Sequence, residues 1–207
     1  MELEGNTVQI LGRVAQAPAF SHRLYGECFF CISVQVPRLS DCADVLPVTL
    51  SERLLPSAPL QEGDLVEIQG QVRSYNKWVN GTNRLIITVF ARELHRKEHI
   101  GTALNEVYLV GHLCKNPIYR ITPFRREITD LLLAINRPYN KSDYIPCIAW
   151  GRNARFAGTL SVGDAIRLRG RLQSREYEKQ MPDGRVMTRT AYEVSISGLE
   201  KINRSQT

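Results

Sequence analysis

The 207-residue chain has no apolar run approaching the ~18 residues that cross a bilayer. Its opening, Met1-Glu2-Leu3-Glu4, is acidic where a secretory leader is basic and then apolar, so a cytoplasmic location and no membrane partner are expected. Cysteine is sparse and odd in number: five scattered residues do not make a disulfide framework, and reduced thiols are expected. Cys28-Phe-Phe-Cys31 alone has metal-like spacing, but residues i and i+3 of a strand point to opposite faces. A site drawn from His22, Cys28, Cys31 and Cys42 is therefore poorly built, and packed thiols with no metal are the expectation. The sequence contains no GxxxxGK[ST], no HExxH and no convincing nucleophile–base set, so neither an enzyme nor a cofactor is expected.

What is present is unevenly distributed. Net charge is +6, yet residues 1–99 hold 10 Lys/Arg against 11 Asp/Glu, and residues 100–207 hold 17 against 10. A basic half beside a neutral half suits one domain facing a polyanion and another with a different task. The competing reading is a solvated surface with an arginine excess.

The two halves repeat each other. Asn6-Thr-Val-Gln-Ile-Leu-Gly-Arg-Val returns as Asn105-Glu-Val-Tyr-Leu-Val-Gly-His-Leu, 99 residues later. The same offset pairs Ile32, Val34, Val36 and Arg38 with Leu131, Leu133, Ile135 and Arg137, and Asp44 and Pro47 with Asp143 and Pro146. Gly63-Asp64 through Gly70 matches Gly163-Asp164 through Gly170, and Val89 matches Val194 at an offset of 105. A duplicated domain of about 100 residues follows, joined near Ile100–Leu104. Within each copy the apolar period is two: Val8/Ile10, Ile32/Val34/Val36, Val66/Ile68 and Ile87/Val89/Ala91, then their partners Val107/Leu109, Leu131/Leu133/Ile135, Ile166/Leu168 and Tyr192/Val194/Ile196. Gly63-Asp64, Asn80-Gly81, Gly163-Asp164 and Asp183-Gly184 are turn signals. The expected class is all-β: two tandem five-stranded OB-fold barrels, residues 1–99 and 100–207, each with a short helix between strands three and four. In the second copy the helix starts near Asn153; in the first, Pro56 and Pro59 shorten or disrupt it.

Barrels of this kind hold single strands with a basic groove and aromatic platforms. The second copy has both. Its rings are Tyr139, Tyr144, Trp150 and Tyr177, with Tyr119 and Phe124 as weaker candidates. Arg137, Arg152, Arg175 and Lys179 lie close to them, and period two sends Arg167, Arg169 and Arg171 to the face opposite Ile166 and Leu168. The alternative for each ring is a core or barrel-end residue, and for the arginines a solvated strand face. The first copy is poorer: Ser40, Val45 and Ser51 stand where the second has Tyr139, Tyr144 and Trp150, leaving Trp78 and Arg73 as a minor patch. That copy either binds weakly or mainly builds the oligomer.

Asn105 through Leu113 with Pro117, Ile148-Ala-Trp-Gly151, Gly163-Asp164 through Gln173, and Tyr192-Glu-Val-Ser-Ile196 together resemble the bacterial single-stranded DNA-binding proteins. The resemblance spans nearly all of residues 105–202; residues 6–98 share only its framework. It implies a non-enzymatic, largely sequence-independent binder of single-stranded DNA in replication, repair or recombination, located with the nucleoid. It also implies that Tyr139, Tyr144, Trp150 and Tyr177 stack on bases. The family assembles four such barrels, so a homodimer is expected. Lys201-Ile-Asn-Arg-Ser-Gln-Thr207 lacks the family's acidic tip, so recruitment of enzymes through a tail is not expected. In this the chain is also similar to primosomal replication protein N, a relative that helps restart forks. A restart adaptor with replication or restart proteins as partners, or an RNA binder, therefore stands as the alternative.

Overall fold

A computed structural model describes residues 5–38, 40, 42–79, 81–99, 101, 104–180 and 184–202. The chain is almost entirely strand. In the first half β1 (Asn6–Leu24), β2 (Glu27–Pro37), β3 (Ala43–Ser51), β4 (Leu65–Val79) and β5 (Thr82–Arg96) pair in the closed order β1-β2-β3-β5-β4-β1, with β3–β5 the one parallel contact of this ring. The second half repeats this with β6 (Asn105–Leu113), β8 (Glu127–Arg137), β9 (Lys141–Trp150), β10 (Ala165–Gln180) and β11 (Val186–Lys201), closed as β6-β8-β9-β11-β10-β6. Closure leaves few unpaired edges. A sixth strand, β7 (Ile118–Ile121), pairs among the described residues only with β8. It corresponds to the far end of β1, which stays one strand by absorbing Pro18 in a bulge between Gln16 and Ala19. In the second half the chain breaks before Pro117 instead, so this copy has one strand more than the five expected.

The alternating apolar residues face inward as their period requires. Ile10, Val34, Leu46, Ile68 and Val89 are fully buried in one ring, and Leu109, Leu133, Ile145, Leu168 and Val194 in the other. Tyr192 is the half-buried exception. The expected helix forms in one half only. Gly151–Ala157 (α1) lies between β9 and β10, buries Ala154 and Ala157, and receives a hydrogen bond from Thr129 Oγ1 to the Ala154 carbonyl at 2.7 Å. In the first half the same stretch makes a single 3-10 turn, Glu52–Leu54. Pro56 has no N–H to offer the Glu52 carbonyl, which accepts from Leu55 instead at 3.2 Å. No helix among the described residues is long and apolar enough to cross a membrane.

The halves join edge to edge. β1 and β6 pair antiparallel with Val8 opposite Val107, Asn6 opposite Leu109 and Ile10 opposite Asn105. Val8 and Val107 are equivalent in the repeat, so the seam is a pseudo-twofold. Its flanking bonds are matched too: Leu11 N donates to the Leu104 carbonyl at 2.9 Å, and Val110 N to the Gly5 carbonyl at 2.7 Å. Of the joint near Ile100–Leu104, residues 100, 102 and 103 lie outside the described residues, as do Asn80 and Asp183 of the two hairpin turns. Gly70 and Gly170 each sit at a bulge where β4 meets β5 and β10 meets β11, and a Cβ at either would collide with the carbonyl of Phe90 or Ser195. Gly170→Ala is accordingly expected to lower stability by about 1–3 kcal/mol. A urea denaturation curve with an unchanged midpoint would show that the Ser195 carbonyl can retreat.

Candidate nucleic-acid interface

β9 carries the centre of the site. Its residues alternate: Asp143, Ile145, Cys147 and Ala149 are buried, while Tyr144 and Trp150 are exposed on the outer face. The two rings are six residues apart on one strand, about 20 Å at ~3.3 Å per residue. Trp150 is 37% exposed and its indole Nε1 donates to Ser195 Oγ on β11 at 3.2 Å, so one ring orientation is favoured. Tyr139 stands at the β8–β9 hairpin tip, 94% exposed, where it and Asn140 adopt left-handed backbone (φ 63° and 54°). Tyr177 lies on the far arm of β10, 38% exposed, with the Arg175 guanidinium 5.9 Å from its ring centre. In the first half Trp78 is well exposed near the β4–β5 tip.

The hollow beside Trp150, about 890 Å3, is lined by Ile121 at the end of β7, by Arg125 and Arg126 of the β7–β8 turn and by Glu127. These two arginines were missed in the sequence, although Phe124-Arg125-Arg126 is a basic tip where the first copy has Tyr25-Gly26-Glu27. Glu127 is held by Arg155 Nε at 3.0 Å and by the Tyr119 hydroxyl at 2.8 Å, and this hydrogen bond pushes the Tyr119 phenol above its ordinary pKa. Arg152 is exposed two residues beyond Trp150. Flat rings between guanidinium groups can stack on planar heterocycles while neutralising phosphates.

The remaining arginines divide. Arg167 pairs with Glu200 at 2.8 Å, and Arg169 lies 6.0 Å from the Tyr108 ring centre; both are exposed. The side chain of Lys179 lies outside the described residues. Arg73, Arg137 and Arg171 are engaged elsewhere, in two symmetric clusters that tie the halves together. Buried Asp44 on β3 accepts from Arg38 Nε at 2.9 Å, from Arg171 Nη1 of the other half at 3.1 Å, and from the Ser174 amide at 2.8 Å. Buried Asp143 on β9 accepts the Ser74 amide of the other half at 2.7 Å and lies 3.1 Å from Arg137 Nε and 3.4 Å from Arg73 Nη1. The same two serines then take the next amide with their hydroxyls: Val45 N donates to Ser174 Oγ at 3.2 Å, and Tyr144 N to Ser74 Oγ at 2.7 Å. The second bond also fixes the backbone that carries the Tyr144 ring. Among the described residues no group of three or more His, Cys, Asp or Glu is placed to hold a metal.

The architecture is that of an all-β protein of closed strand rings that carry exposed aromatic rings and basic groups. Residues 104–202 match the model of the single-strand binding protein family. Single-stranded DNA-binding protein 2 of Listeria innocua is 33% identical over 111 residues, 50% of this chain and 69% of that protein. Single-stranded DNA-binding protein A of Bacillus subtilis is 36% identical over 107 residues, 48% of this chain and 62% of that protein. The chain belongs to the single-strand binding protein family. It spans about half to two thirds of the length of the curated relatives it matches. Over nearly its whole length its fold is that of the wild-type single-stranded DNA binding protein from Thermus aquaticus, with a TM-score of 0.79, 23% identity, and coverage of 98% of this chain and 95% of that one.

Proposed function

We propose that the chain binds single-stranded DNA, largely without regard to sequence, by stacking bases on exposed rings and pairing phosphates with arginines. The carrying observation is the set of exposed rings, Tyr139, Tyr144, Trp150 and Tyr177, within the stretch that matches the family. Arg125, Arg126, Arg152 and Arg175 flank these rings, with Arg167, Arg169 and Lys179 as outlying phosphate contacts. Each ring of strands is read as an OB barrel, one in residues 1–99 and one in residues 100–207, and the second makes most of the contact. Arg73, Arg137 and Arg171 serve the join first. Trp78 offers the first half a minor contact. Two chains would supply four barrels, in a protein of the cytoplasm and nucleoid acting in replication, repair or recombination.

Titrating the protein into fluorescent dT oligomers of increasing length, at several salt concentrations and with duplex as control, tests this reading. Tight binding to single strands but not to duplex is expected, with log K falling against log salt at about −0.7 per phosphate contacted. Weak binding at every length in low salt would overturn it. That outcome would favour the replication-restart adaptor, a reading supported by the net charge of −1 on residues 1–99.

A further inference from the structure

The part of β9 that bears Tyr144 is only half framed by its own half of the chain. β8 runs beside the whole of β9, but on the other side the parallel contact with β11 covers only Cys147 and Ile148. Residues 141–146 are thus paired, among the described residues, on one side alone. Alternate residues of a strand turn their amides to the same side, which groups Tyr144 with Pro146 and Ile148 on the side of β11. Pro146 has no N–H to give. The Tyr144 amide is therefore the last donor on that side before the β11 contact, and it goes to the other half of the chain, donating to Ser74 Oγ on β4 at 2.7 Å. Ser74 closes the clasp by donating its own amide to Asp143 Oδ1 at 2.7 Å.

Ser74 and Asp143 are buried, whereas Tyr144 is 43% exposed. A base stacked on the ring does not reach the serine that holds the backbone beneath it. The repeat makes the same clasp at the equivalent place: Ser174 N donates to Asp44 Oδ1 at 2.8 Å, and Val45 N donates to Ser174 Oγ at 3.2 Å. There the residue held is a valine. Of the two clasps, only the one made by Ser74 carries an aromatic ring, and its serine comes from the half without the ring. A ring already held in place loses less freedom when a base stacks on it, so such a hold is felt in affinity.

We propose that Ser74 is a positioning residue for single-strand binding: its hydroxyl fixes the open side of β9 and so sets the Tyr144 ring where it stacks on a base. This rests on the single-strand-binding reading above and on the place of Tyr144 in it. It adds that the first half shapes the binding surface of the second without touching the DNA at this point.

The test titrates fluorescent dT oligomers with Ser74→Ala in three backgrounds of the full chain: the parent, Tyr144→Ala and Trp150→Ala. Ser74→Ala keeps the amide bond to Asp143, and thermal melts check that it is folded. Ser74→Cys, close to serine in size but a weak acceptor, is read in the same way if it is not. In the parent, Ser74→Ala is expected to weaken binding by about 3- to 10-fold, and hydrogen exchange should show the Tyr144 amide less protected. In Tyr144→Ala the same change should cost less than about 2-fold, because the ring it positions is gone. In Trp150→Ala it should cost as much as in the parent, because that ring is held by Ser195 instead. Unchanged affinity in folded Ser74→Ala would overturn the positioning role. Equal losses in all three backgrounds would overturn it too, by reducing the effect to a general loosening of the fold. A Tyr144→Ala variant that binds as the parent does would also overturn it, and would leave binding through the other rings standing. A parent protein that binds no dT oligomer would remove the wider reading, and the role of Ser74 with it.

Discussion

Asp44→Ala and Asp143→Ala are each expected to destabilise the protein by roughly 3 kcal/mol, the lower end of what breaking a buried ion pair from one side costs. Both carboxylates are fully buried, and each is met by a guanidinium from its own half, a guanidinium from the other half and a backbone amide from the other half. Removing the carboxylate leaves the Ser174 or Ser74 amide without its acceptor and the arginines beside one another. The arginine side chains are 20–38% exposed, so water takes up part of the loss, which holds the figure near 3 rather than 5 kcal/mol. Urea denaturation gives the magnitude, and hydrogen exchange gives the location. In Asp44→Ala the amides of Ser174 and Val45 should lose protection well before those of Ile10 or Leu133 in the ring cores. A loss below 1 kcal/mol, with Ser174 still protected, would mean that the Asp44 cluster adds little to the join between the halves.

These clusters also mark where local reading of the sequence fails. The cores were legible because their signal is local: Val8/Ile10 or Leu131/Leu133/Ile135 declare a half-buried strand within a few residues. The duplication was legible because equivalent positions share one offset. The partners of Arg171 and Arg73 were not, because Asp44 lies 127 residues from the first and Asp143 lies 70 residues from the second. A strand arginine that alternates with core residues looks the same whether it faces a phosphate, water or a carboxylate from another domain. The matched Asp44 and Asp143 were in view as repeat partners, but repetition alone does not say that each reaches the opposite copy. The break before Pro117 was hidden for a related reason. Pro18 sits at the equivalent place in β1, and there a bulge absorbs it. At the candidate interface the rings Tyr139, Tyr144, Trp150 and Tyr177 were read together with the basic residues close to them in sequence. The Arg125-Arg126 tip was missed because its value depends on the β7–β8 turn folding back beside Trp150.

Trp150→Ala is expected to weaken binding to dT oligomers by about 5- to 150-fold, the range of one lost base stack at ~1–3 kcal/mol. The double variant with Tyr177→Ala should lose more than either single one. Among the rings Trp150 should give the largest single effect, because its indole N–H is already fixed to Ser195 Oγ and little freedom remains to be lost when a base stacks on it. Tyr139 presents more surface, but it stands at a hairpin tip where ordering the ring on binding offsets part of the gain. Trp150→Phe separates the two contributions: it keeps an aromatic face and removes the hydrogen bond, so it should fall between the parent and Trp150→Ala. If Trp150→Phe is as weak as Trp150→Ala, orientation by Ser195 matters more than ring area, and Ser195→Ala should reproduce the loss. If Trp150→Ala and the double variant bind as the parent does, the stacking surface lies elsewhere, and the exposed rings at the hairpin tips, Phe124 and Tyr139, become the next substitutions to make.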